Sequence, residues 1–183
     1  EAAIETYKQD VAAARMAQWR NRCVSDGYEP GSTFKLITLA SALDSGTVTL
    51  NDSFYCGGQE KFTGREQILN CWKSAGHGAQ TTAQALGNSC NIAFGHIGLR
   101  MGGDTFYDYL KSFGVMEKTG VDLPGEASGL FYERKYLNDP ANYGTSYLIP
   151  SSFGQSFRIT PMQLVRAVAA IVNGGYVLEP YIV

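Results

Sequence analysis

What this sequence lacks narrows it first. None of its apolar runs approaches the roughly 18 residues that a membrane-spanning helix needs, so any membrane anchor lies outside these residues. The formal charge of -2 leaves no basic stripe to neutralise a phosphate backbone, which argues against nucleic acid as a partner. Four cysteines, Cys23, Cys56, Cys71 and Cys90, are too few and too widely spaced for a dense disulfide scaffold, and their number leaves the compartment open. There is no internal repeat and no low-complexity tract. What is there is 44% apolar and 12% aromatic side chains over 183 residues, enough to bury one sizeable core. One domain, or a large piece of one, is the expectation.

Residues 4–20 mix Ala, Met, Gln and Arg without Gly or Pro, which predicts a helix with Trp19 as its core anchor. The turn formers Ser25-Asp26-Gly27-Tyr28-Glu29-Pro30-Gly31 end it. A second helix starts at Ser32, its buried face read from Leu36, Leu39, Ala40 and Leu43, and Gly46 closes it. Residues 47–75 read as loops and short strands. Helix returns at Thr81–Leu86, breaks at Gly87-Asn88-Ser89-Cys90, and resumes from Asn91 toward Met101. Asp104 is expected to cap a further helix with Phe106, Tyr109, Leu110 and Phe113 on its inner face. Thr160-Pro161 opens an apolar helix to Val172 that Asn173-Gly174-Gly175 stops, and Tyr176–Val183 reads as the start of a strand.

Ser32 and Lys35 stand three apart in the first turn of their helix, so their side chains share one face and can touch. The helix N-terminus adds amide N–H groups and partial positive charge where an oxyanion would develop. A lysine in a partly buried place is deprotonated easily enough to act as a base. Ser-x-x-Lys alone is a weak signal, since a capping serine with a solvated lysine looks the same. Its strength here comes from the run Tyr28-Glu29-Pro30-Gly31-Ser32-Thr33-Phe34-Lys35 and from a second triplet, Ser89-Cys90-Asn91, on the turn between two helices.

With these motifs the chain resembles the class B penicillin-binding proteins, and within them the cell-division and stage V sporulation protein D-like transpeptidases. Trp19-Arg20-Asn21-Arg22, Thr119-Gly120-Val121-Asp122-Leu123-Pro124-Gly125-Glu126 and Phe153-Gly154-Gln155 ahead of Ile159-Thr160-Pro161-Met162-Gln163 extend the likeness over nearly the whole length. The resemblance implies a mixed α/β (α+β) fold, that of penicillin-binding transpeptidases and serine beta-lactamases, of which this chain carries mainly the helical subdomain. It implies D,D-transpeptidation through an acyl-enzyme on Ser32, with Lys35 taking the serine proton, Ser89 relaying protons and Asn91 holding the substrate amide. Stem peptides of peptidoglycan and beta-lactams are the implied ligands, and the wall-synthesis machinery the implied partner. The implied location is the cell membrane, with one N-terminal anchor outside this chain and the catalytic domain outside the cytoplasm. Acyl transfer needs no cofactor.

The family's third motif, Lys-Thr/Ser-Gly on a core strand, is spelled by Lys118-Thr119-Gly120, but inside a turn-rich Asp-x-Pro-Gly context. We read these three residues as a lookalike and expect the true motif downstream of Val183, which makes residues 1–183 a partial transpeptidase domain that is inactive by itself. Two rivals share Ser32 and Lys35: a D,D-carboxypeptidase, in which water accepts the acyl group, and a beta-lactam sensor domain.

Cys56, Cys71, His77 and Cys90 offer three thiolates and an imidazole, a set zinc accepts in tetrahedral form. Some class B members that this chain resembles carry zinc beside the active site. A Cys56–Cys71 disulfide and buried free thiols stay open as alternatives. Cys23 reads as a small buried apolar side chain and His96 as a packed or surface residue. Phe54, Tyr55, Phe62 and Trp72 read as core rather than as a peptide groove.

Overall fold

The computed structural model describes residues 2–139 and 144–182; Val183, the last residue of the expected strand, lies outside the described residues. In chain order it runs α1 (Ala2–Trp19), α2 (Arg22–Ser25), a 3-10 turn (Gly31–Phe34) leading directly into α3 (Lys35–Asp44), β1 (Ser53–Cys56), β2 (Gln59–Glu60), β3 (Leu69–Asn70) and β4 (Gly78–Thr81). Then follow α4 (Thr82–Gly87), α5 (Asn91–Ser112), α6 (Arg134–Leu137), α7 (Gly144–Ser152) and α8 (Pro161–Val172). The strands form two antiparallel pairs, β1 with β4 in the register Ser53↔Thr81 to Cys56↔Gly78, and β2 with β3.

Local chemistry explains where the helices start. Thr81 and Thr160 each close a reciprocal capping box with the glutamine three residues on, Gln84 and Gln163, and Pro161 takes the first helical position of α8. α5 lies at the centre, packed against α3 on one side and α7 on the other. Gly98 brings α5 and α7 together, since a Cβ there would lie 2.7 Å from Ser152 Cβ. Phe34, Ile37, Phe94, Ile97, Phe106, Leu110 and Ile149 are fully buried around this axis, each contributing about 1.5–3 kcal/mol.

The structure corrects five expectations. Trp19 is 78% exposed and α1 buries none of its residues, so the helix is carried by its Ala-rich composition and not by a core anchor. α3 buries a different and wider face than expected: Leu36 is exposed, Leu39 is buried as expected, and Ile37, Thr38, Ser41 and Ala42 are buried with it, behind Phe34 of the 3-10 turn. Large apolar residues alone mislead there because small hydroxyl residues can also be buried; Ser41 Oγ donates 2.8 Å back to the Ile37 carbonyl. The break after Met101 is real, with Gly102 at φ +73, but Asp104 does not cap the next helix. Its carboxylate instead accepts from Arg134 and Asn138 of the α6 region. Cys23 is exposed while Val24 beside it is buried, because Asn21 caps α2 and turns Val24 inward. Residues 176–182 form no strand; Tyr176 is tied back to Asn173, and the Ile182 N–H donates to Asp122.

Candidate active site

Ser32 sits in the 3-10 turn that opens α3, and the chain before it is fastened at several points. Tyr28 and Ile159 exchange backbone hydrogen bonds of 3.0 and 3.1 Å, and the Gly31 N–H donates 2.8 Å to the Gly154 carbonyl. The Ser156 N–H donates 3.0 Å to Glu29, and Thr33 Oγ donates 2.7 Å to the Pro30 carbonyl. Gly154 has φ +83, and a Cβ on it would fall inside the Gly31 carbonyl, so only glycine lets the two turns meet. Gly154→Ala is therefore expected to lower stability by about 2–6 kcal/mol through backbone strain and overpacking. Denaturant unfolding of parent and variant measures it.

Lys35 is 1% exposed, uncommon for a side chain that ordinarily carries an ammonium charge. Its Nζ lies 3.1 Å from Ser32 Oγ, 3.0 Å from Ser89 Oγ, 2.8 Å from the Ser89 carbonyl and 2.8 Å from Asn91 Oδ1. Ser89 Oγ also reaches Ser32 Oγ at 2.9 Å, and the Phe94 ring lies 5.5 Å below the nitrogen. Of the four oxygens around Nζ, the Ser89 carbonyl and Asn91 Oδ1 can only accept. A neutral amine satisfies both with its two N–H groups and keeps its lone pair for a serine proton. Burial pulls the Lys35 amine down to about 8 even though Cys90 and Cys71 act to raise it. Ser32, Lys35, Ser89 and Asn91, expected together from two distant motifs, are thus gathered around the Lys35 amine.

The turn carrying Ser89 is joined to the cysteine cluster. Cys90 is the N-cap of α5, its Sγ accepting from the Ala93 N–H at 3.5 Å. The ligand atoms of Cys56, Cys71, His77 and Cys90 all lie within 4.8 Å of one another. Gly58 (φ +91) and Gly76 (φ +75) make this convergence physical: a Cβ on Gly58 would strike the Ser74 carbonyl, and one on Gly76 the Cys56 carbonyl. Cys71 Sγ and His77 Nδ1 stand 3.6 Å apart, close to the about 3.5 Å edge of a tetrahedron with Zn–S near 2.3 Å and Zn–N near 2.0 Å. Burial pushes the Cys90 thiol up to about 12, so a thiolate there calls for a cation beside it. At Cys71 burial pushes the same way but is outweighed by the Lys73 and Asn91 amide N–H groups, which leave the thiol below its ordinary value. Burial also lowers His77, which favours the neutral imidazole a metal needs. The donor set therefore fits zinc. All four thiols are free, so no Cys56–Cys71 disulfide is formed.

The remaining sequence candidates separate cleanly. Lys118-Thr119-Gly120 is an irregular loop closed on its own carboxylate: Glu126 accepts from the Thr119 N–H at 2.6 Å, from Thr119 Oγ at 2.5 Å and from the Gly120 N–H at 3.2 Å. His96 pairs with Glu60 at 2.9 Å. Phe54 and Phe62 are core residues as expected, while Tyr55 and Trp72 are exposed by 70% and 68%, contrary to the core reading. β1 alternates its side chains, so Tyr55 faces out between buried Phe54 and Cys56. Glu29 and Gly154 had no assigned role; each was signalled only as a member of a quoted run, Glu29 beside Tyr28 and Pro30 and Gly154 between Phe153 and Gln155.

Comparison with known proteins identifies relatives of the chain. The chain is 44% identical over 164 residues to stage V sporulation protein D of Bacillus subtilis (strain 168), covering 89% of this chain and 24% of that protein. It is 30% identical over 167 residues to the peptidoglycan D,D-transpeptidase MrdA of Escherichia coli (strain K12), covering 88% of this chain and 26% of that protein. The chain thus spans about a quarter of the length of these curated relatives. Among solved structures, penicillin binding protein 3 of Mycobacterium tuberculosis, complexed with aztreonam, superposes with a TM-score of 0.77 at 27% identity, covering 89% of this chain and 35% of that one. The expected penicillin-binding transpeptidase fold is the observed one, represented mainly by its helices. Since the family model of the penicillin binding protein transpeptidase domain matches residues 2–183, the chain belongs to that family.

Proposed function

We propose that this chain is part of a peptidoglycan D,D-transpeptidase in which Ser32 carries the acyl group. The observation that supports this most is the buried Lys35 Nζ at 3.1 Å from an exposed Ser32 Oγ, with two acceptor-only oxygens holding the amine. Ser32 Oγ attacks the carbonyl between the two D-Ala residues of a stem peptide as its proton passes to Lys35. The peptide C–N bond breaks, and D-Ala leaves with a proton handed on by Ser89, which touches both Lys35 and Ser32. An amine from a neighbouring strand then attacks the ester, gives up its proton along the same path and restores Ser32. The amide N–H2 of Asn91, whose Oδ1 is occupied by Lys35, orients the substrate amide. A beta-lactam imitates the dipeptide and acylates Ser32.

The second half of the oxyanion hole and the carboxylate site come from a Lys-Thr/Ser-Gly strand beyond Val183, because Lys118-Thr119-Gly120 is committed to Glu126. By this reading residues 1–183 are one part of the catalytic domain and are inactive without the rest. Cys56, Cys71, His77 and Cys90 hold a zinc whose service is structural: it ties residues 56–77 to the Ser89-Cys90-Asn91 turn. Among the described residues no helix is long and apolar enough to cross a membrane. From its likeness to this family, the proposal places an N-terminal anchoring helix outside this chain, and the domain outside the cytoplasm beside the wall-synthesis machinery.

The test is the intact mass of the full-length protein after exposure to a penicillin, with the modified peptide located by fragmentation. One acyl group on the peptide containing Ser32 is expected. A folded, zinc-replete protein that gains no mass would overturn the assignment. Product analysis with an amine acceptor distinguishes crosslinking from carboxypeptidase action.

A further inference from the structure

Trp72 takes no part in the chemistry above, yet it is neither core nor a loose surface aromatic. It is 68% exposed, but its indole N–H donates a 2.9 Å hydrogen bond to the Asn88 carbonyl, and its ring meets His77 edge-on at 5.4 Å between centroids. The Asn88 carbonyl belongs to the peptide that joins Asn88 to Ser89. Ser89 has φ +49, a left-handed backbone that costs a non-glycine residue about 1–2 kcal/mol and persists only where its surroundings impose it.

One other tie acts on the same peptide, at its amide end, and the rest hold neighbouring groups. The Asn88 N–H donates to the Gln84 carbonyl, Asn88 Nδ2 to Gln80, and the Ser89 N–H to the Leu86 carbonyl. Trp72 holds the carbonyl end of the Asn88–Ser89 peptide. Rotation of that peptide would displace Ser89, whose carbonyl and hydroxyl supply two of the four oxygens around Lys35 Nζ. The His77 contact, together with Cys71 as its chain neighbour, gives Trp72 a rigid footing on the cysteine cluster.

We propose that Trp72 is a positioning residue for acyl transfer: its indole N–H fixes the Asn88–Ser89 peptide, and through it the place of Ser89 and Lys35 relative to Ser32. The proposal rests on the reading of Ser32 and Lys35 given above. It predicts that the bond is felt in the chemical step and not in the formation of the first complex or in global stability.

The experiment compares the full-length parent with Trp72→Phe, which keeps an aromatic ring against His77 but has no N–H. Rapid-quench kinetics with a penicillin separate the dissociation constant of the non-covalent complex from the acylation rate constant; melting temperature and zinc content are measured alongside. The expected result is an acylation rate constant lower by about tenfold, the loss of about 1.4 kcal/mol, with the dissociation constant, melting temperature and zinc content unchanged. An unaltered acylation rate would overturn the proposal. So would a weaker first complex at unchanged rate, which would make the ring a binding platform. So would loss of folding or of zinc in step with the rate, which would make it structural. If the parent itself forms no adduct, the assignment of Ser32 fails and this inference falls with it; if the parent reacts and Trp72→Phe reacts equally, only this inference fails.

Discussion

Ser32→Ala in the full-length protein is expected to leave no penicillin adduct at all, while Lys35→Ala still reacts, but about a hundredfold to ten-thousandfold more slowly. The first removes the atom that bonds to the acyl group; the second leaves that atom in place and removes the base that takes its proton. Lys35→Arg is expected not to rescue, because a guanidinium keeps its proton throughout the working range. Stopped-flow or intact-mass kinetics give the rate constants. A Lys35→Ala rate within threefold of the parent would remove Lys35 from the proton path.

The same residue sets a pH dependence whose sign is definite. Burial lowers the Lys35 amine from 10.5 to about 8, so the neutral, basic form grows as pH rises through about 8, and the acylation rate should climb there and level off above it. Stability moves in the same direction for a different reason. Below pH 8 the lysine is protonated in both folded and unfolded chains, and the native state bears the full burden of a buried ammonium. That burden is relieved between about pH 8 and 10.5, as the folded form sheds its proton before the unfolded form does. A rate that keeps rising beyond pH 10 would mean the amine is not perturbed as its burial requires.

Extraction of zinc is expected to have the second large effect. Protein prepared without chelators should hold about one equivalent, and less than about a tenth of an equivalent would refute the site. Chelation should lower stability by about 3–5 kcal/mol, as expected for a metal held near a thousandfold above its dissociation constant. The acylation rate should fall as well, because Cys90 lies between Ser89 and Asn91, both of which hold Lys35. Cys90→Ser separates two roles of one residue. A serine hydroxyl caps α5 as well as the thiol does but is a poor zinc ligand, so the helix should persist while zinc content collapses. Cys90→Ser protein with full zinc would show that Cys90 serves only as a cap.

Elements closed by local chemistry were legible in the chain itself. The capping boxes at Thr81 and Thr160, the stop at Gly46 and the Ser-x-x-Lys turn involve residues within four of each other, so sequence spacing determines their geometry. The donors Cys56, Cys71, His77 and Cys90 could be named but not joined, since zinc, a Cys56–Cys71 disulfide and free thiols all stayed open. Trp19, Leu36 and Cys23 were misjudged for one reason. Hydrophobicity says that a side chain profits from burial, whereas which face is covered depends on what packs against it. Trp72, exposed and hydrogen-bonded to Asn88, is the same lesson beside the active site.

By itself, then, the sequence carried the motifs of the family and set Ser32 and Lys35 on one face, because two residues three apart on a helix have few places to go. Only the tertiary structure decided what surrounds that pair: the Gly154 turn pressed on Gly31, the burial of Lys35 among four oxygens, and the cluster behind Cys90. Several of these contacts join residues more than fifty positions apart, as Lys35 with Ser89 and Gly31 with Gly154. No spacing rule reaches so far along a chain, and the amine is depressed only where the assembled fold excludes water from it.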